Sequence, residues 1–540
     1  MNYQKKFTSK TLALKEIDNI IKSLHYKGFL LANIDTIISD STHITAKISE
    51  NNFYKWSYLK LGNLNPSLAS KIGISEKLYF NKVFKYKEVA KSFEKIISYY
   101  ENNGYPFTSV KLDSISITNN SISAVLNVQK GKLFKIDSII IMGNAKVNKQ
   151  FLYKYLSIKP NMPFNEEIIK SISPKIKQLP FIIEKQPQQV RLTNKTNKLL
   201  LFLDKKNASQ FDGIIGFLPD NITKKTVVTG DVKLKVVNGI FKNGETIDVQ
   251  WRRLQSQTQD FKGRIIYPYL FGTPVGTDYS LKIYKRDTTF IDITNNIGLQ
   301  YYFSGLNNFK VFYKQRNTNL ISTSGYSLIT TLPEYADITT QSYGAGFTFE
   351  KLNYRFNPRK GVALNLNSQT GNRVIKKNPK VNEIAYTNLL LRSTQYQFES
   401  DLNFFIPIYN NNVLHIGVQG ASVFGNSSIF KNELFRIGGL KTLRGFDEES
   451  IYTSSYLIPT IEYRFLFAQN SNLLLFAEGA WYENNSNNLY LKDTPVSIGA
   501  GINFETKAGI LSLNYAIGNQ FGNGFDPRSG KIHFGLTALF

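Results

Sequence analysis

A chain of 540 residues is too long for one ordinary domain, so two or more are expected. It has no cysteine and only 4 histidines (His25, His43, His415 and His533), scattered along the sequence, which excludes disulfides and Cys chemistry and argues against a metal site or a Ser-His-Asp triad. The formal charge of +26 is carried largely by lysines spread over the whole chain without a tight basic cluster, so nucleic acid is not expected as a partner, and anionic headgroups or acidic polypeptide segments are at most minor ones.

In chain order, Leu14, Ile17, Ile21 and Leu24 fall at helical spacing, with Ser9 or Thr11 as cap and Gly28 as stop. Strands follow near Ala32–Ile37 and His43–Ile48. Val89, Phe93, Ile97 and Tyr100 mark a second helix, ended by Asn103-Gly104, with strands near Ser109–Ile117 and Ile122–Val128. Upstream, Trp56–Leu61 runs into Gly62-Asn63, as Ile136–Met142 runs into Gly143-Asn144. Helical stretches near 148–156 and 165–178 and strands near 189–193 and 198–204 complete another copy. A unit of roughly 75–80 residues, ordered strand, helix, helix, strand, strand, therefore repeats. The boundaries read as 1–52 for a partial copy without its opening strand, then 53–132 and 133–205.

After Lys206 helical periodicity stops and alternation takes over to the chain end. Val232, Leu234 and Val236 alternate with Lys233 and Lys235; Ile247, Val249 and Trp251 with Asp248 and Gln250; Tyr279, Leu281 and Ile283 with Ser280 and Lys282; Leu511, Leu513 and Tyr515 with Ser512 and Asn514. No apolar run reaches the roughly 18–20 residues of a spanning helix. The polar face stays polar throughout, as a wet lumen requires, and 14% aromatic residues suit interfacial girdles. About 20 residues per strand and turn gives roughly 16 strands for 206–540. The predicted class is thus α+β repeats followed by an all-β antiparallel transmembrane barrel.

Two stretches carry more information. Ile532, Phe534, Leu536, Ala538 and Phe540 alternate with polar or small residues and end on an aromatic, which reads as a last lipid-facing strand. The alternative is the final strand of a soluble β protein. The second stretch is Arg436-Ile437-Gly438-Gly439-Leu440-Lys441-Thr442-Leu443-Arg444-Gly445-Phe446. It resembles the loop of the BamA/TamA superfamily of outer-membrane assembly factors, in which a Gly-Gly pair precedes an Arg-Gly-aromatic tip. The repeats resemble that family's periplasmic POTRA domains, so the resemblance covers nearly the whole chain.

The resemblance implies that the loop folds back into the lumen and that Arg444 docks on an acidic residue of the wall. Gly445 would allow a tight tip and Phe446 would pack it. The family's partner strand reads Phe-x-Asp-x-Gly-x-x-Trp; here Phe476-Ala477-Glu478-Gly479-Ala480-Trp481 puts Glu where Asp is usual and compresses the spacing. Glu478 is the expected partner and Glu462 a second one. A guanidinium in a confined lumen needs a carboxylate, because an unpaired charge there is costly. Phe534, Leu536 and Phe540 would form the C-terminal assembly signal. Phe356-Asn357-Pro358-Arg359-Lys360-Gly361 and Phe525-Asp526-Pro527-Arg528-Ser529-Gly530 read as turns that open strands.

By resemblance, the chain resides in the bacterial outer membrane with its arm in the periplasm, and assembles, inserts or translocates other polypeptides without enzyme chemistry or cofactors. Its partners would be unfolded outer-membrane or secreted clients, the lipid bilayer, and periplasmic chaperones or lipoproteins. A weakly paired seam is expected between Gly213–Phe217 and Lys531–Phe540. The rival reading is a two-partner secretion transporter that passes one exoprotein. A passive porin does not need the arm, and a lipolytic barrel would need a Gly-x-Ser-x-Gly elbow that is not found. The start, MNYQKKFTSKTLALKEI, has no apolar leader, so export implies a start upstream or a leader already removed.

Overall fold

The computed structural model describes all residues except 1, 2, 41, 194, 220–225, 256–257, 355–356, 487–488, 507–508 and 540. It falls into two compact units. The first comprises Met1–Ser138 with Pro160–Lys170 and Val190–Leu199; the second comprises Ile139–Lys159, Ser171–Gln189 and Leu200–Phe540.

In the first unit, helix α1 (Lys10–Tyr26) is capped by Ser9, whose hydroxyl accepts the Leu12 N–H. Its Ile21 and Leu24 are buried with Ala32 beside the hairpin Asn33–Ser39/Ile44–Ser49. The second copy has strand Lys55–Lys60, helix α2 (Pro66–Lys71), helix α3 (Tyr86–Glu101) and strands Ser109–Thr118 and Ser121–Gln129. The last strand is central, parallel to the first and antiparallel to Ser109–Thr118. Trp56, Leu59, Ile96 and Leu126 fill its core.

The third copy repeats this layout with strand Ser138–Met142, helix α4 (Lys149–Tyr155), helix α5 (Glu166–Ile176) and strands Ile182–Arg191 and Lys198–Lys205, the last again central. The repeat extends to single atoms. A Cβ on Gly62 would sit 1.9 Å from the Leu126 carbonyl oxygen, and one on Gly143 2.4 Å from that of Leu203. Both glycines have positive φ, so a side chain is refused by backbone and space alike. The following asparagines cap the same place: Asn63 Oδ1 accepts from Val128 N and Asn144 Oδ1 from Lys205 N, each at 2.8 Å. This α+β architecture fits POTRA repeats.

Eighteen antiparallel strand segments close into a barrel. Two wall strands are broken into two segments that keep one register, so the wall has sixteen strands among the described residues. In order these are β1 (Gln210–Pro219), β2 (Thr226–Val237), β3 (Thr246–Gln255), β4 (Thr258–Tyr267), β5 (Val275–Arg286), β6 (Phe290–Ser304), β7 (Asn307–Leu320) and β8 (Ile338–Leu352). They continue as β9 (Gly361–Ile375), β10 (Arg392–Tyr409), β11 (Asn412–Gly425), β12 (Ser455–Ala468), β13 (Ser471–Gly479 with Trp481–Ser486), β14 (Leu489–Asp493 with Val496–Thr506), β15 (Gly509–Asn519) and β16 (Lys531–Leu539). The expected count of about sixteen follows from the length of each alternating segment.

Alternation sorts the wall. Ile297, Leu299, Val311, Tyr343, Phe398, Ile461, Leu475, Ile532 and Phe534 are exposed on the outside. Asp278, Asp292, Arg373, Glu462, Glu478 and Asn514 are buried within. So broad an apolar exterior suits a bilayer. No helix among the described residues is long and apolar enough to cross a membrane; the crossing is made by strands.

The seam differs from its neighbours. Among the described residues β1 pairs with β2 over ten residues, but with β16 only through Gln210↔Leu539 and Phe211↔Ala538. The seam strands are those expected from sequence, yet the pairing lies at Gln210–Phe211, before the expected stretch Gly213–Phe217. Among the described residues β1 has 10 residues and β16 has 9, against 15 in β8 and 18 in β10. Phe540 and the side chain of Leu536 lie outside the described residues, as does Phe356. Asp526 caps the turn Pro527–Ser529, which releases the chain into β16.

At the far end of the barrel from β1's start, segments 321–337, 376–391 and 426–437 form a cap around Leu332, Ala336, Val381, Tyr386 and Phe430. Its polar centre is Arg373 of β9, which donates to both carboxylate oxygens of Glu433 at 2.7 Å. Gln395 and the Phe430 N–H complete the shell of Glu433. At the other end, Phe151 of α4 packs edge-on against Tyr269 in the β4–β5 turn, and Asn148 N donates to Lys242 O at 2.8 Å.

Candidate functional site: a loop docked in the lumen

The connection from β11 to β12 leaves the cap and turns inward. A short hairpin pairs Phe435–Ile437 with Ile451–Thr453 and presents the tip at 438–450. Gly438 and Gly439 open the tip. Thr442 closes it, its hydroxyl taking the Gly438 N–H at 2.8 Å and donating to the Gly438 carbonyl at 3.0 Å. Ile437, Leu443, Phe446 and Ile451 then pack on Ile458, Ala480 and Tyr482 of the wall.

Arg444 meets both expected carboxylates at once. Its backbone N–H donates to Glu478 Oε2 at 2.8 Å, its Nε to Glu478 Oε1 at 2.7 Å, and its Nη1 to Glu462 Oε2 at 2.8 Å. The strand register explains why both are in reach. Glu462 on β12 lies opposite Phe476 on β13, and Glu478 is two residues on, on the same inward face. Phe476 supports the guanidinium from below, 3.4 Å from its ring centroid. The compressed Gly-Trp spacing leaves Trp481 partly exposed on the outer face.

Burial sets the energetics. Glu462 and Glu478 are 4% and 5% exposed. Charges so confined need their partners, and removal of one costs about 3–5 kcal/mol. The second oxygen of Glu462 takes Arg464 Nε at 2.6 Å, with His415 Nδ1 at 3.7 Å. His415 in turn stacks on Phe405 and bonds Asn403 Oδ1 through Nε2. Two arginines thus balance two carboxylates. The sequence reading missed Arg464 and His415; their alternation shows that they face inward, but only the β11–β12 register places His415 opposite Glu462.

The rest of the tip spans the seam from inside. A Cβ on Gly445 would lie 3.0 Å from Gly518 N on β15, and the Phe446 ring fills the space where a Gly518 side chain would go. Asp447 pairs with Lys531 of β16 at 2.8 Å. Glu449 reaches the other flank, pairing with Arg252 of β3 at 2.8 Å and with Arg436 of the loop itself at 3.0 Å. The loop is therefore held on β3, β12, β13 and β16. Ile532 and Phe534 of the C-terminal stretch face outward and take no part in this docking.

Comparison with known proteins gives a consistent picture. Residues 240–540 match the Omp85 superfamily domain. The outer membrane protein assembly factor BamA of Buchnera aphidicola subsp. Acyrthosiphon pisum (strain APS) is 22% identical over 381 residues, 64% of this chain and 60% of that protein. The chain thus spans about 60% of the length of that curated relative. In fold, CdiB from Escherichia coli aligns with a TM-score of 0.55 at 12% identity, covering 99% of this chain and 100% of the other. CdiB from Acinetobacter baumannii aligns with the same score and coverage at 11% identity. The chain belongs to the Omp85 superfamily and is a bacterial outer-membrane β-barrel protein.

Proposed function

We propose that this protein inserts unfolded polypeptides into the outer membrane. The α+β copies at 1–52, 53–132 and 133–205 act as a periplasmic POTRA arm, receiving client strands on exposed sheet edges. The β1–β16 seam then offers a client strand an edge satisfied only by pairing. Arg444, Gly445 and Phe446 hold the loop that braces this seam, with Glu478 and Glu462 as the wall anchor. Phe534, Leu536 and Phe540, by their alternation in the sequence, serve as the chain's own C-terminal assembly signal. Chaperones or lipoproteins would deliver clients to the arm. No bond is made or broken, so no catalytic residue or cofactor is invoked.

The observation that carries this reading is the seam: among the described residues two pairs join β1 to β16, against ten between β1 and β2. A permanently closed pore has no use for so weak a joint, which lipid penalises wherever backbone groups go unpaired. The test is reconstitution in liposomes with a small unfolded barrel as client. The protein should accelerate client folding over protein-free liposomes. If folding is not accelerated while the liposomes conduct ions, secretion of one exoprotein through the lumen becomes the better reading.

A further inference from the structure

The inner wall from β4 to β7 holds more positive charge than the fold balances. Lys262 and Arg264 of β4, Lys282 of β5, and Lys310, Lys314 and Arg316 of β7 share the inward register. Three carboxylates lie within ion-pair distance of them, while Asp248 of β3 stands opposite Arg264 and Glu449 of the loop acts on Lys282 from farther off. Asp260 takes Lys262 at 3.1 Å, Asp278 takes Arg264 at 2.8 Å and Lys310 at 2.7 Å, and Asp292 takes Arg316 at 2.6 Å. Neither Lys282 nor Lys314 has a carboxylate of the described residues within ion-pair distance; both ammonium-bearing side chains are half-buried in the lumen.

Register makes the surplus sharper. Lys262 stands directly opposite Lys282, where like charges repel, and Thr294 and Arg316 continue that row across β6 and β7. The next row is Arg264, Ser280, Asn296 and Lys314. Glu399 of β10 is the carboxylate that acts on Lys314 from beyond ion-pair distance, whereas Glu462 and Glu478 are already balanced by Arg444 and Arg464. Folding alone gives no reason to face lysine with lysine in a confined space. A bound anion does.

We propose that this wall is an anion-binding lane for carboxylate-rich polypeptide segments. A row across four strands spans about 14 Å, the length of roughly four residues of extended chain, whereas a single small anion would cover one position only. The lane rests on the proposed function, in which a client strand taken up at the seam turns its polar face into this lumen, and adds the client chemistry it prefers. Its test reads binding alone, so it stands or falls separately from client folding.

The probe is a fluorescein-labelled hexaglutamate peptide titrated onto the full chain in detergent micelles at low salt, followed by polarisation. Saturable binding is expected. The double variant Lys282→Gln/Lys314→Gln should weaken it about fivefold or more, and Lys282→Arg/Lys314→Arg should retain it. Neutralising Lys91 and Lys95, exposed on α3, should change it less than about twofold. The Gln variants lose a like-charge contact, so the heat-dependent gel shift of the folded barrel should persist. The proposal is overturned by absence of saturable binding, by equal loss in the lumen and α3 variants, or by loss of binding in the Arg variant. Displacement by free glutamate at equal carboxylate concentration would also overturn it, since that marks a small-anion site.

Discussion

Replacing Arg444 by Ala is expected to release the loop and abolish acceleration of client folding. The substitution strands Glu462 and Glu478 in the lumen, both under 6% exposed, with Arg464 as the one remaining arginine against two carboxylates. Breaking such a pair costs about 3–5 kcal/mol, a large part of what holds an ordinary domain together. The loop should then become open to protease near 438–450, and the urea midpoint of the barrel should fall. Arg444→Lys should recover only part of the loss. One ammonium cannot bridge both carboxylates and lie flat on Phe476 as the guanidinium does. Client folding in liposomes, protease mapping and urea unfolding read the three consequences separately.

The second large effect is expected at the cap. Arg373 is 1% exposed and makes a two-pronged pair with Glu433, besides bonds to Ser427 Oγ and Ser428 O. Arg373→Ala leaves Glu433 buried without its cation, again at about 3–5 kcal/mol. Segments 376–391 and 426–433 should lose protection from protease together, because Glu433 also organises Gln395 and the Phe430 N–H. A matched control lies nearby: Lys377 pairs with Glu383 at 2.5 Å with both side chains at least half exposed. Lys377→Ala should shift stability by less than about 1 kcal/mol. Equal effects from the two substitutions would show that the cap does not depend on the buried pair.

Much of this architecture is legible in the chain because alternation is a local property. Lys233 and Lys235 between Val232, Leu234 and Val236 already place one face in water and one in lipid. The Gly-Asn pairs at 62–63 and 143–144 likewise announce equivalent turns, and both prove to back onto the central strand of their own copy. What stays hidden depends on register between distant strands. Glu462 and Glu478 read as alternatives in sequence, and only the β12–β13 pairing shows that one arginine reaches both. The surplus of cations on β4 to β7 is hidden for the same reason, since Lys262 and Lys282 become neighbours only through the ladder. The cap is less legible still: Arg373 and Glu433 are 60 residues apart, and the apolar residues around Phe430 lie in segments that read as loops. The sequence points to the seam strands but to residues slightly farther along β1 than those that pair, because strand order fixes partners while register fixes which residues meet.

The central claim is that the β1–β16 seam opens to admit a client strand, and a reversible lock tests it most directly. The chain has no native cysteine, so Gln210→Cys with Leu539→Cys introduces one defined pair on residues that stand directly opposite each other. Cα atoms opposed across an antiparallel ladder are about 4.5–5.5 Å apart, within the reach of a disulfide. The account predicts that the oxidised protein folds no client faster than empty liposomes, and that reductant restores the acceleration. Full acceleration by the oxidised, demonstrably cross-linked protein would contradict it.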